Sequence, residues 1–183
     1  MRYVALIRGI NVGGNNMIRM PALKACFEEQ GLRDVTTYIQ SGNVVFASPK
    51  RAPEIARGLE AAIAATFGCQ TSVMLRSQKE MEAIVVRAPG GFGKQPEKYR
   101  YDVIFLHDSL TPEAAIEKVA TKPGVDQARA GKGVLYFSRL TAKASESRLS
   151  RLVSLPIYKS MTIRNWRTTT TLLQMLSGDA AAN

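Results

Sequence analysis

The residues best suited to chemistry lie in three short segments. Arg8-Gly9-Ile10-Asn11-Val12-Gly13-Gly14-Asn15-Asn16 holds glycines that let a backbone turn and expose N–H groups to an anion, with Arg8 or Arg19 beside them. The G-x-x-x-G-G spacing matches neither the dinucleotide fingerprint nor the P-loop, which would need a Lys followed by Ser or Thr. A loop that packs between subdomains, its Asn side chains satisfying backbone groups, accounts for the same residues. Ser41-Gly42-Asn43 places two hydrogen-bonding side chains at a turn. They would face the same ligand if both segments lie at one end of a sheet, and simple turn chemistry explains them otherwise. Near the C-terminus, Arg164-Asn165-Trp166-Arg167 offers guanidinium groups suited to bidentate phosphate recognition. Read as helix, this stretch sets Arg164, Arg167 and Thr168 or Thr171 on the side away from Trp166 and Leu173. The other reading has Trp166 in the core and the arginines bridging to acids.

Acid–base and metal chemistry find less support. His107 and Asp108 are neighbours, and neighbours on a strand point to opposite faces, so they do not form a charge relay. Glu28, Glu29 and Asp102 could move protons but have no evident pair, and no G-x-S-x-G nucleophile motif occurs. The two cysteines, Cys26 and Cys69, cannot build a disulfide framework and read as buried thiols. With a single histidine and no Cys pair at ligand spacing, neither a metal nor a cofactor is expected. The Gly-Phe-centred aromatic motif of RNA-reading ferredoxin-like domains is missing too, which leaves sequence-specific RNA readout unsupported.

Charge speaks to partners. The 183 residues carry a net charge of +10, and from Gln127 to Gly178 nine bases stand against one acid, Glu146, a local net of +8. Such a concentration attracts polyanions, phosphorylated ligands or an acidic protein. A solvated basic surface with no dedicated ligand has the same composition. The apolar run Tyr3 to Ile7 ends at Arg8, too short for a signal peptide or a membrane span, so a soluble, cytoplasmic protein with no membrane partner is expected.

These residues need elements to hold them. Tyr3-Val-Ala-Leu-Ile7 reads as a buried strand, and Pro21 opens a helix that closes near Gly31. Val35 to Ile39 and Val44 to Phe46 read as an antiparallel hairpin around Gln40-Ser-Gly-Asn43. Ile55, Leu59, Ile63 and Phe67 form a helical stripe that Gly68 stops, and a strand follows at 71–75. The order is β-α-β-β-α-β, that of a ferredoxin-like unit. Ser77-Gln-Lys-Glu80 has capping-box spacing for a helix to about Val86, and Pro89-Gly-Gly-Phe-Gly93 breaks the chain. A strand at 102–107, a helix from Thr111-Pro112, a hairpin around Gly131-Lys-Gly133 and a helix at 144–153 then suggest β-α-β-β-α, a second unit of the same order. A last helix over 162–176 would bury Ile163, Trp166, Leu173 and Leu176. The expected fold is α+β: two ferredoxin-like subdomains with antiparallel sheets plus a C-terminal helix. Their bounds are 1–88 and 101–178, with a connecting loop at 89–100 and a frayed tail at 179–183.

Four segments also resemble a known family. Leu6-Ile-Arg-Gly-Ile-Asn-Val-Gly-Gly14, Met20-Pro-Ala-Leu23, Thr37-Tyr-Ile-Gln-Ser-Gly-Asn-Val-Val-Phe46 and Met161-Thr-Ile-Arg-Asn-Trp166 look like successive signature segments of the domain of unknown function 1697 (DUF-1697) family. The resemblance spans essentially the whole chain and implies two ferredoxin-like subdomains; it implies no activity. Where the family commonly has Asn after the Trp, this chain has Arg167. The residues favour a non-enzymatic protein that binds an anionic ligand, nucleic acid being one candidate, through Arg8, Asn11, Gly13, Gly14, Asn15, Ser41, Gly42, Asn43, Arg164, Asn165 and Arg167. The alternative is an enzyme acting on a small phosphorylated or carboxylated metabolite in a cleft between subdomains. A third possibility is self-association through sheet edges and the basic helix.

Overall fold

The computed structural model describes residues 1–14 and 16–178 and divides into two compact units, Met1–Glu82 with the chain from Thr171 onward, and Ala83–Thr170. Unit 1 runs β1 (Arg2–Ile7), α1 (Met20–Glu29), β2 (Arg33–Tyr38), β3 (Asn43–Ala47), α2 (Ala52–Phe67) and β4 (Val73–Ser77). Its sheet has the order β2-β3-β1-β4 with every pair antiparallel, the ferredoxin-like arrangement. Alternation along β1 turns Tyr3, Ala5 and Ile7 into one core, opposite Val44 and Phe46 of β3. Leu23 and Phe27 of α1 and Ile55, Leu59 and Ile63 of α2 close over that face, with Phe27 edge-on to Phe46 at 5.8 Å. Gly68 ends α2 in the left-handed region at φ 66°. The Ser77 to Glu80 spacing predicts a capping box, and the two residues bond reciprocally: the Ser77 N–H to Glu80 Oε2 at 2.8 Å, the Glu80 N–H to Ser77 Oγ at 3.3 Å. They open α3 (Gln78–Val86).

Unit 2 contains β5 (Tyr99–Leu106), α4 (Pro112–Lys118), β6 (Asp126–Gly131), β7 (Val134–Leu140) and β8 (Met161–Asn165), and the first turn of α5 (Trp166–Ser177), whose residues from Thr171 onward belong to unit 1. The sheet order β6-β7-β5-β8 repeats that of unit 1 strand for strand. Ile104, Leu106, Leu135, Phe137 and Met161 form its core with Ala115 of α4 and Leu149 and Leu152.

Two expectations are corrected here. The helix expected at 144–153 is instead a series of short 3-10 turns at Thr141–Glu146, Leu149–Ser154 and Pro156–Ser160. Serines divert the backbone: Ser147 Oγ accepts the Leu149 N–H at 3.2 Å, and Ser154 Oγ donates to the Arg151 carbonyl at 2.8 Å. Asp126 Oδ2 also takes the Arg148 N–H at 2.8 Å, anchoring the turn to the sheet. The last helix starts at Trp166 rather than 162, because Met161–Asn165 pairs antiparallel with β5 as β8, completing the second ferredoxin-like sheet. Leu172 and Leu176 are fully buried on that helix, whereas Trp166 and Leu173 are half-buried. The expected tail at 179–183 lies outside the described residues, and no helix among them is long and apolar enough to cross a membrane.

Candidate functional site

Unit 2 carries a cleft of about 330 Å³ against one face of its sheet. Successive strand side chains point to opposite faces, so Tyr99 and Tyr101 of β5 share one face and Arg100 and Asp102 the other. Strand register then assembles two rows. Tyr101 lies opposite Ser138 of β7, which lies opposite Gln127 of β6; Val103 lies opposite Tyr136, which lies opposite Arg129. Tyr101, Ser138, Gln127, Tyr136 and Arg129 all line the cleft. Its remaining wall comes from the glycine-rich segment after α3, chiefly Phe92 and Gln95, together with Lys98 and Tyr99.

Ring packing fixes that wall. Phe92 meets Tyr101 at 4.9 Å, Tyr136 at 5.4 Å and Trp166 at 5.1 Å between centroids, each close to edge-on, the geometry that the ring quadrupole favours. Gly93 permits the approach. It sits at φ 79°, and a Cβ there would lie 2.1 Å from Trp166 Nε1. At the floor Tyr136 is buried and its hydroxyl donates to the Ile84 carbonyl at 2.7 Å; burial pushes the phenol's pKa up, partly offset by Arg87. Gly131 leaves room for this ring, since a Cβ there would approach Tyr136 Cε2 to 2.5 Å.

The cleft is cationic at its rim. Lys98 and Arg129 are exposed, neither with a carboxylate partner among the described residues, and the Lys98 ammonium lies 5.4 Å from the Tyr99 ring centroid. The opposite face differs. There Asp102 is buried with Arg139 NH2 3.3 Å from its carboxylate. Burial pushes the Asp102 pKa up, and Arg139 and Arg100 oppose the shift.

In unit 1 the glycine loop and the hairpin turn meet at one end of the sheet. Asn11, at φ 54°, donates through Nδ2 to the carbonyls of Gln40 at 2.8 Å and Ile18 at 3.0 Å, while its Oδ1 accepts the Ile18 N–H at 2.7 Å. Its side chain therefore holds the loop to the turn. Gly42 fits because a Cβ would come within 2.9 Å of Ile10, and its carbonyl accepts the Ile7 N–H. Asn43 is fully buried, its Nδ2 donating to Ser41 Oγ at 2.9 Å and to the Tyr38 carbonyl. Arg8 is tied by its backbone to Ser72 and to the Thr71 hydroxyl. Gly13 and Gly14 are exposed at positive φ, and Asn15 lies outside the described residues. These contacts are those of the packed loop in which Asn side chains satisfy backbone groups.

The arginines near the C-terminus do not share a helical surface. Arg164 sits on β8, buried, with NH1 donating to Thr162 Oγ1 and to the Ile163 carbonyl at 2.8 Å each, and burial pulls its pKa down to about 10. Asn165 caps α5 by accepting the Thr168 N–H at 2.7 Å, and Arg167 is exposed on the first turn. His107 lies just past β5, its Nδ1 paired with Ser109 Oγ at 2.8 Å in a local turn.

Against known families, the one described as "Protein of unknown function (DUF1697)" matches residues 1–136, well over half of the chain. The chain belongs to this family. The DUF1697 match covers all of unit 1 as far as Glu82 and, in unit 2, reaches Tyr136 of the cleft, while the segment Met161 to Trp166 lies beyond it. Among solved structures, a conserved bacterial protein from Streptococcus pneumoniae superposes with a TM-score of 0.81 at 29% identity, covering 96% of this chain and 98% of the other. No curated protein matches the chain.

Sequence reasoning missed the DUF1697 protein's aromatic cleft. A signal was present: Tyr99-x-Tyr101 alternates directly ahead of the buried Val103-x-Phe105, and Phe92 is the single large apolar side chain in Pro89-Gly-Gly-Phe-Gly93. Register from strands far apart in the chain delivers these aromatics to one face, so they form no local Gly-Phe-centred motif.

Proposed function

We propose that this DUF1697 protein is a binding protein for an anionic ligand, nucleic acid being the class its basic C-terminal segment favours, and that the ligand's charge is met at the cleft of unit 2. The observation that carries this reading is the pairing of Lys98 and Arg129, exposed and without carboxylate partners among the described residues, with a concave wall of aromatic rings. Cations on a concave, low-dielectric wall concentrate anions more strongly than the same charges spread over a convex surface. Arg129 belongs to the stretch that holds nine bases against one acid. Arg167, exposed on α5, adds to the same positive field, whereas Arg164 is committed to Thr162 and the Ile163 carbonyl.

The test is fluorescence anisotropy of labelled single-stranded RNA and duplex DNA against salt, with the wild type and with Lys98→Ala plus Arg129→Ala. The expected result is binding that weakens linearly with the logarithm of salt concentration. The double variant should lower the slope by roughly 1 to 2, since each phosphate neutralised contributes about 0.7 to 0.9. Absence of binding at low salt, or a variant that titrates like wild type, would overturn the assignment.

A further inference from the structure

From the face of the cleft, and resting on the reading just given, we infer that its occupant is one unpaired base of a nucleic-acid strand, so that the protein selects single strands over duplexes by stacking. A site for phosphate alone needs donors and charge, not rings. Here Tyr99 and Tyr101 stand side by side with centroids 6.0 Å apart, both half-buried, on the wall between Lys98 and the row that ends at Arg129. Half-buried rings that line an open cleft are a surface for another flat ring, and base-on-aromatic stacking tolerates any base because every base has a π-face.

Polar groups stand where a stacked base would present its edge. Ser138 and Gln127 occupy the positions directly across the sheet from Tyr101, one and two strands away, about 5 and 10 Å at the usual strand spacing. A hydroxyl and an amide there can each donate and accept. Arg129, two residues along β6 from Gln127 and so on the same face, and Lys98, just ahead of β5, line the same cleft and are placed for the flanking phosphates. Size agrees: about 330 Å³ is at the lower end of small-ligand sites, enough for one nucleotide. A paired base in a duplex has both faces stacked and its edge occupied, and so offers nothing to the rings.

The experiment compares three labelled probes of equal length: an RNA 12-mer, the same 12-mer with all bases removed, and its duplex. Each is titrated against wild type, Tyr101→Leu and Tyr101→Phe. The intact single strand should bind roughly five- to a hundredfold more tightly than the abasic strand, the range for one stacked base. Tyr101→Leu should erase that difference without changing the salt slope, and Tyr101→Phe, which keeps the ring, should retain it. An intact Trp166 emission spectrum in Tyr101→Leu shows that Phe92 has stayed in place. Equal binding of intact and abasic strands, or a preference for the duplex, would overturn the base-stacking inference and leave anion binding standing. Failure of every probe to bind would remove both.

Discussion

The contact between Gly93 and Trp166 holds the wall of the cleft, and Gly93→Ala tests it with an internal control. Gly93 and Gly91 occupy the same loop at almost the same backbone angle, φ 79° and 82°, but a Cβ at Gly91 meets nothing within 4 Å, whereas one at Gly93 would lie 2.1 Å from Trp166 Nε1 and 2.4 Å from Cδ1. Both alanine variants incur the left-handed backbone penalty of about 1–2 kcal/mol. Only Gly93→Ala adds the cost of overpacking, typically about 1–3 kcal/mol, because the indole is pinned by Phe92 and cannot swing aside freely. The expected difference between the two variants is therefore about 1–3 kcal/mol. Urea unfolding followed by the emission of the chain's single tryptophan measures it, since the reporter is the clashing side chain itself. Gly93→Ala should also redshift the native spectrum as the ring is pushed from its seat; Gly91→Ala should not. Equal unfolding midpoints with equal native spectra would refute the seating of this loop on Trp166.

Asn11→Ala removes three hydrogen bonds that join the glycine loop to Ile18 and the turn at Gln40, and should cost about 1–3 kcal/mol with faster amide exchange in residues 8–18. Hydrogen exchange that is unchanged across that segment would show the clamp to be dispensable. For Asp102 the folded pKa is raised, so the native state holds the proton more tightly than the unfolded chain; this contribution is fully present below the unfolded value near 3.8 and is lost as pH rises through the folded value. The urea midpoint of Asp102→Asn relative to wild type should therefore improve with pH from about 4 upward, until the wild-type carboxyl is fully ionised. A constant offset across that range would contradict the burial of an ionisable carboxyl at this position.

The sequence by itself determined the elements whose signals are local. The continuous apolar run from Tyr3 to Ile7, the Ile55-Leu59-Ile63 stripe and the Ser77 to Glu80 cap depend on neighbours within a turn or two, so β1, α2 and the start of α3 could be read directly, as could the repeat of one α+β unit after another. Net charge and its concentration after Gln127 are likewise properties of composition. Tertiary structure decided the rest. Met161–Asn165 is a short run leading straight into a helical pattern, and it is a strand because the free edge of β5 takes up its backbone groups, which no local preference encodes. The same pairing buries Arg164 and parts it from Arg167, although both read as exposed cations of one helix. Asn11 becomes a clamp only because Gln40 arrives from the hairpin. The cleft depends most on distance along the chain: Tyr101, Gln127 and Ser138 form one row solely through antiparallel register, and a shift of a single residue would turn each of them to the opposite face.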